Sequence, residues 1–277
     1  MPHPVTGIGR PIDPRVPSNL FVIAATLAGG AAGFFPALGD GFGDAVWAGV
    51  LTGGAGFVAW AVGRELDPDR PATAGVAAVV AIALAFVGDP GLALSGAAIL
   101  ATRILVRTTG VFPTVVDLVV VAGFAAYVAT RSAGLPVAVV TGLALLADGR
   151  LPGPSTNRVT VAGDLIVVAA IVAALIAGTA VPDPAGVAGW EWLLVGVAVV
   201  GAVVVVRPPL VSATADWSDE RLDGHRLRAG RVAALAMVAG AAVWGGAVGL
   251  AAVAPVSAAM AASLLPLPVP SAASAQS

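Results

Sequence analysis

The sequence predicts an all-α fold, a polytopic transmembrane helical bundle, and three observations carry that prediction. Hydrophobic residues make up 58% of the 277 residues and charged ones only 11%, with a mean hydropathy of +0.96; a soluble domain carries roughly a quarter charged residues. The apolar residues fall in runs close to the 20 or so that a helix needs to cross a hydrocarbon core of about 30 Å. The arginines between those runs are biased to one side. Lipid cannot satisfy open backbone groups, and the even, non-alternating hydrophobicity argues against a porin-type barrel.

Composition also narrows function. A net charge of −2 leaves no basic footprint for nucleic acid. There are no cysteines, hence no disulfide, thiolate metal ligand or cysteine nucleophile. Two histidines, His3 and His225, make a His-rich metal site improbable. All 14 basic residues are arginine, which removes Schiff-base and P-loop lysine chemistry.

About nine spans are expected, at residues 20–38, 44–63, 72–88, 91–107, 113–130, 134–148, 160–181, 190–206 and 231–253. Residues 1–19 form a cytoplasmic tail, 20–253 the transmembrane domain, and 254–277 an Ala/Ser/Pro-rich tail. In that tail Pro266, Pro268 and Pro270 prevent another full span, so it reads as an interfacial half-helix with a frayed end. With the N-terminus inside, every arginine except Arg131 falls in a cytoplasmic segment, as the positive-inside rule requires. Asp40, Asp44, Asp89, Asp183 and Glu191 mark outer loops. Trp47, Tyr127, Trp190 and Trp192 stand at outer boundaries, and Trp60 near an inner one. The expected topology is N-in/C-out, multi-pass, in the cell membrane. The long charged leader, with no small-x-small site after the first apolar run, speaks against a cleaved signal peptide. The pairs Gly29/Gly33, Gly49/Gly53 and Gly245/Gly249 predict close helix packing within the chain.

Chemistry-bearing residues gather in the cytoplasmic segments. The loop after the second span reads Arg64-Glu65-Leu66-Asp67-Pro68-Asp69-Arg70-Pro71. Carboxylates at alternate positions point the same way on extended backbone, and Pro68 pushes Asp67 toward that form. Such a comb suits Mg²⁺, a hard cation held by carboxylates and phosphate oxygens, with the flanking arginines on the phosphate. The other reading is a solvated turn, with Asp69 or Thr73 capping the third helix.

At the end of the fourth span Arg103 and Arg107 share a helix face, Arg103 about 6 Å deeper. Arg103 either snorkels to the surface or faces the bundle interior and binds an anion or carboxylate. Asp117-Leu118-Val119-Val120-Val121-Ala122 returns as Asp164-Leu165-Ile166-Val167-Val168-Ala169. Both aspartates suit a helix N-terminus, or serve as further ligands and partners of Arg103 and Arg158. Asp148 opens a Gly/Pro-rich loop running to Arg158. The mixed-charge loop 207–230 reads as a solvated surface turn without a site.

Nine spans with acidic loops after the second and sixth are similar to UbiA-type intramembrane prenyltransferases. The stretch Arg64-Glu65-Leu66-Asp67 through Arg70-Pro71-Ala72-Thr73-Ala74-Gly75 resembles the end of that family's first acidic motif. The chain lacks the Asn and the i, i+4 acid spacing of that motif, and the Asp-x-x-x-Asp of the second. The resemblance implies that Glu65, Asp67, Asp69 and Asp148 face Mg²⁺, with Asp164 near the Asp148 side. Arg70, Arg103 and Arg107 would hold a prenyl diphosphate. The expected function is thus Mg²⁺-dependent prenyl transfer, or a degenerate form of it, at the cytoplasmic face. The competing reading is a non-catalytic membrane scaffold or a small-solute transporter. A prenyl tail further requires an apolar pocket beneath Arg103 and Asp67, lined by the second, third and fifth spans and open to the bilayer.

Overall fold

A computed structural model gives the architecture and describes residues 6–10, 12–153, 157–179, 181, 196, 211–218 and 220–267. Within these, the named elements are helices: α1 (Pro17–Phe34), a 3-10 turn (Pro36–Asp40), α2 (Phe42–Leu66), α3 (Pro71–Leu84), α4 (Leu92–Val106), α5 (Val115–Ala129), α6 (Gly134–Asp148), α7 (Asn157–Ala177), α8 (Gly224–Ala252) and α9 (Ala254–Ala262). One isolated β-bridge joins Thr214 and Arg221.

Four of these helices are long and apolar enough to cross a membrane: α1 with its 3-10 extension, α2, α7 and α8. The apolar helices α3 to α6 have 14–15 residues, about 21–23 Å at 1.5 Å per residue. The expectation of nine full spans therefore finds support in four helices among the described residues. The eighth expected span, 190–206, lies outside them.

Local chemistry sets the boundaries. Pro17 and Pro71 occupy the first turn of α1 and α3, where a missing N–H costs nothing. Thr114 and Asp117 close a capping box at the start of α5. The Asp223 carboxylate accepts the Arg226 N–H at 2.9 Å and starts α8 at Gly224, well before the apolar run at 231. Glycines let α1 and α2 touch backbone to backbone: a Cβ at Gly33 would sit 2.6 Å from the Ala48 carbonyl oxygen, and one at Gly53 2.6 Å from that of Thr26.

Helices α2, α4, α6 and α8 make the interior, burying Leu66, Ile104, Leu145 and Met237. Helices α1, α3, α5 and α7 flank them and leave Leu27, Val79, Val119 and Leu175 exposed. Arg64 donates to Ser18 Oγ (2.8 Å) and Arg231 to the Leu66 carbonyl (2.9 Å). The starts of α1 and α8 thus meet the end of α2 at one pole, here the arginine end. At the far end Trp244 Nε1 donates to the Thr179 carbonyl, and Thr179 Oγ1 to that of Ala129.

The C-terminal segment corrects the expectation of a tail. At Gly246 the chain leaves helical geometry (φ 53°, ψ −130°), a conformation that glycine adopts without a Cβ clash. Ser95 Oγ donates to the Ala252 carbonyl (3.1 Å) near the far end, and Arg70 donates to the carbonyls of Ser263 (2.6 Å) and Leu265 (2.7 Å) at the arginine end. Between these anchors α9 runs back through the bundle, packed on α2, α3, α4 and α8. Pro255, Val256, Ser257, Ala258, Ala259 and Met260 are all buried. Leu265 therefore lies at the same end as the described N-terminal segment, so the N-in/C-out reading finds no support. The physical reason is that small side chains and a proline in the first turn let 254–262 serve as a core helix.

Candidate functional site

The arginine end holds a series of separate charged stations. Helix α2 continues through Leu66, so Glu65 projects from a helix and not from an extended strand. Its fully buried carboxylate accepts Arg103 Nε at 3.0 Å and the Thr108 hydroxyl at 2.5 Å. Arg103 therefore turns inward, and its Nη1 also donates to the Ile8 carbonyl (2.8 Å). Asp67, in the turn after α2, accepts Thr73 Oγ1 (3.0 Å) and pairs with Arg70 Nε (3.0 Å). Burial pushes the Asp67 carboxyl above the ordinary range, against the downward pull of Arg70 and of the Thr73 hydrogen bond. Asp69 points elsewhere and accepts Ser212 N–H and Oγ and the Ala213 N–H, at 2.6–2.9 Å. It does not cap α3, and neither does Thr73.

The deepest station is a triad. Asp148 ends α6 with its side chain fully buried and accepts Arg107 at 3.0 and 2.7 Å and Arg226 Nη1 at 2.7 Å. Arg107 caps α4 with φ +56° and sets its guanidinium 4.5 Å from the Phe112 ring centroid. Arg226 also donates to the carbonyls of Pro152 and Leu105. One carboxylate thus ties α6 to α4 and α8.

Asp117 collects the N-terminal segment. Its carboxylate accepts the Thr6 hydroxyl, the Gly7 N–H (2.7 Å) and the Thr114 N–H (2.7 Å), and Thr109 Oγ1 donates to the Gly7 carbonyl (2.6 Å). Arg10 then reaches Asp216 of the 211–223 loop at 2.7 Å. Asp164, the partner of Asp117 in the sequence match, is exposed on α7, as is Arg158.

Two hollows adjoin these stations. An apolar groove of about 570 Å³ opens on the side of the bundle between α1, α2 and α3, lined by Ser18, Phe21, Trp60, Pro71, Val76 and Val80 among others. The expected pocket is met only in part: the groove has walls from the second and third helices, but α1 takes the place of the fifth helix and neither Arg103 nor Asp67 lines it. A smaller hollow of about 80 Å³, room for two or three waters at about 30 Å³ each, is lined by Arg10, Asn19, Trp60 and Arg103 among others. Trp60 belongs to the walls of both. It is 4% exposed, and its indole N–H has no hydrogen-bond partner. Arg64, stacked 5.7 Å from the Trp60 ring centroid, likewise has a buried Nε without a partner.

The expected Mg²⁺ ligands do not come together. Glu65, Asp67, Asp69 and Asp148 sit at four stations, each already bonded to arginines, hydroxyls or backbone N–H groups. Among the described residues no three His, Asp or Glu side chains are placed to hold an ion. The carboxylates in this arrangement do not fit a shared Mg²⁺ centre. Of the expected phosphate-binding residues, Arg103 lines a hollow, whereas Arg70 holds Asp67 and the chain after α9, and Arg107 holds Asp148.

Sequence reasoning gives no site role to Arg10, Asp216 or Arg226, and it reads Trp60 only as an inner boundary marker and Arg64 only as one of the arginines flanking the carboxylates. For Arg226 a signal existed: Asp223 three residues before it is an N-cap pattern that moves the start of α8 ahead of the arginines. For Arg10 and Asp216, 206 residues apart, no local pattern exists.

An all-helical bundle with four membrane-length helices is the architecture of an integral membrane protein. Comparison with protein-family models, with curated proteins and with solved structures finds no match.

Proposed function

We propose that the protein is a multi-pass protein of the cell membrane that holds a lipid-linked phosphate at its arginine end. The observation that carries this reading is the apolar groove of about 570 Å³ between α1, α2 and α3, whose Trp60 wall is shared with an arginine-lined hollow. An oily tail fits the groove, and guanidinium groups are suited to phosphate oxygens. The resemblance to UbiA-type enzymes makes prenyl diphosphate the ligand class to try first. The carboxylates are engaged with arginines, hydroxyls or backbone N–H groups, so binding without a divalent cation is expected. The purified protein in detergent should retain farnesyl diphosphate in native mass spectrometry with EDTA present, and Arg103→Gln should weaken retention. Failure to retain it with or without added Mg²⁺ would reject this ligand.

One observation favours the scaffold as the second reading: the buried charges pair with one another and join helix ends, as structural ties do. In that case conversion of farnesyl diphosphate is absent and the variants alter stability alone.

A further inference from the structure

We propose that residues 6–10 form a strap that closes the arginine-lined hollow, and that a phosphate group reaches Arg103 only when this strap lifts. This rests on the lipid-holding reading above and adds to it the control of entry.

The walls of the hollow carry the argument. Asn19 stands on α1, Trp60 on α2, and Ile99 and Arg103 on α4; the described lining residues outside the helices are Arg10 and Ile12. At about 80 Å³ the hollow has room for two or three waters. A single phosphate already has more oxygen atoms than that, so a wall must move before one enters. Helix α1 packs on α2 and α2 on α4, and a close-packed interior resists displacement of one wall alone. The strap is the side that can give.

Its ties are few and run to side chains. Asp117 accepts the Thr6 hydroxyl and the Gly7 N–H (2.7 Å), Thr109 Oγ1 donates to the Gly7 carbonyl (2.6 Å), and Arg103 Nη1 donates to that of Ile8 (2.8 Å). Of the strap residues, Ile8 enters the apolar core. The Arg10–Asp216 pair is partly exposed, and such pairs add little. The groups at both ends of these ties keep partners when the strap lifts. The N–H groups of Ile8 and Gly9 bond the Thr6 hydroxyl within the strap itself. Asp117 keeps the Thr114 N–H, and Arg103 keeps Glu65. Glycines flank Ile8 on both sides, so ordering the strap carries a high backbone entropy cost. Arg103 Nη1 bonds a neutral carbonyl in the closed form, whereas a phosphate oxygen makes the stronger, charge-assisted bond. Strap and ligand thus compete for one guanidinium nitrogen.

The test uses the full chain in detergent. The protein has no cysteine of its own, so Ile99→Cys places a single thiol in the hollow, where a sulfonate-bearing methanethiosulfonate reports access. A second single-cysteine chain, Thr141→Cys, places the thiol on the buried face of α6, away from the hollow, and reports general opening. Two variants loosen the strap: Thr109→Val removes the donor to the Gly7 carbonyl, and Gly7→Ala sets a Cβ 2.5 Å from the Phe112 carbonyl oxygen. Each should speed labelling at position 99 about tenfold, the effect of one buried hydrogen bond left unmade, and leave position 141 unchanged. Thr109→Val should also raise farnesyl diphosphate retention in native mass spectrometry by about the same factor, because the open fraction limits apparent affinity. Rapid labelling at position 99 with the strap unaltered, an unchanged rate in both variants, or an equal rise at position 141 overturns the strap as a lid. Faster labelling with retention present but unchanged overturns its control of entry. Faster labelling with no retention by any chain supports the lid and rejects the lipid-phosphate reading on which entry rests.

Discussion

Asp148→Asn isolates the strongest tie at the arginine end. The Asp148 carboxylate is fully buried and accepts three hydrogen bonds of 2.7–3.0 Å from two guanidiniums. An amide of nearly the same shape keeps one acceptor oxygen and loses the negative charge that Arg107 and Arg226 share. Breaking a buried pair by removing one partner costs about 3–5 kcal/mol. For a chain of this size each kcal/mol shifts the melting temperature by about 2–4 °C, so a fall of about 6–20 °C is expected in detergent, followed by tryptophan fluorescence. Arg226→Met in the Asp148→Asn background removes one stranded charge and should restore part of the loss, a coupling of about 0.5–3 kcal/mol. Replacing all three residues, Arg107→Met with Asp148→Leu and Arg226→Met, should melt within a few degrees of the unaltered protein, because apolar replacement of a buried ion group is often neutral. A shift below about 2 °C for Asp148→Asn, or strict additivity with Arg226→Met, would refute the reasoning.

Three further outcomes are expected. Gly246→Ala forces a side chain onto φ 53° and should destabilise by about 1–3 kcal/mol. Gly43→Ala, with nothing within 4 Å of its new Cβ, should be neutral or slightly stabilising, and equal melting temperatures for the two variants would count against the strained turn. Asp117→Asn weakens the hold on Thr6 and Gly7 and should speed hydrogen exchange of the Gly7 N–H several-fold; an unchanged exchange rate would mean that Asp117 does not hold the segment. The Asp67 carboxyl is raised by burial, so the folded protein binds that proton more tightly than the unfolded chain. Stability therefore falls as pH rises from the ordinary value near 3.8 through the raised one. Melting temperature against pH should show this loss in the unaltered protein and a smaller one in Asp67→Asn, and identical slopes would contradict it.

Legibility in the sequence followed the range of each interaction. Helix α6 runs over Gly134–Asp148, the boundaries the apolar run gives: it opens on Gly134 and is followed by Gly149. The start of α8 was hidden, since its first turns carry arginines that bury against Asp148 and Leu66 and so read as a solvated loop. Alternation rules misread Glu65, Asp67 and Asp69, because they apply to extended backbone and α2 continues past Glu65. Asp117 was legible as a cap, but its grip on Gly7 spans 110 residues and no periodicity records it. The unsatisfied donors of Trp60 and Arg64 are visible only once neighbouring helices define what surrounds them.

The return of α9 has a consequence for how the protein is made. Synthesis runs from the N-terminus, so α2, α3 and α4 are made while the helix that packs on all three is still unmade. Until Arg70 can grasp the carbonyls of Ser263 and Leu265, the faces of those three helices that α9 covers are without it. Packing of α9 is thus a late step, and a nascent chain halted before residue 254 lacks the one described helix that touches α2, α3, α4 and α8 together.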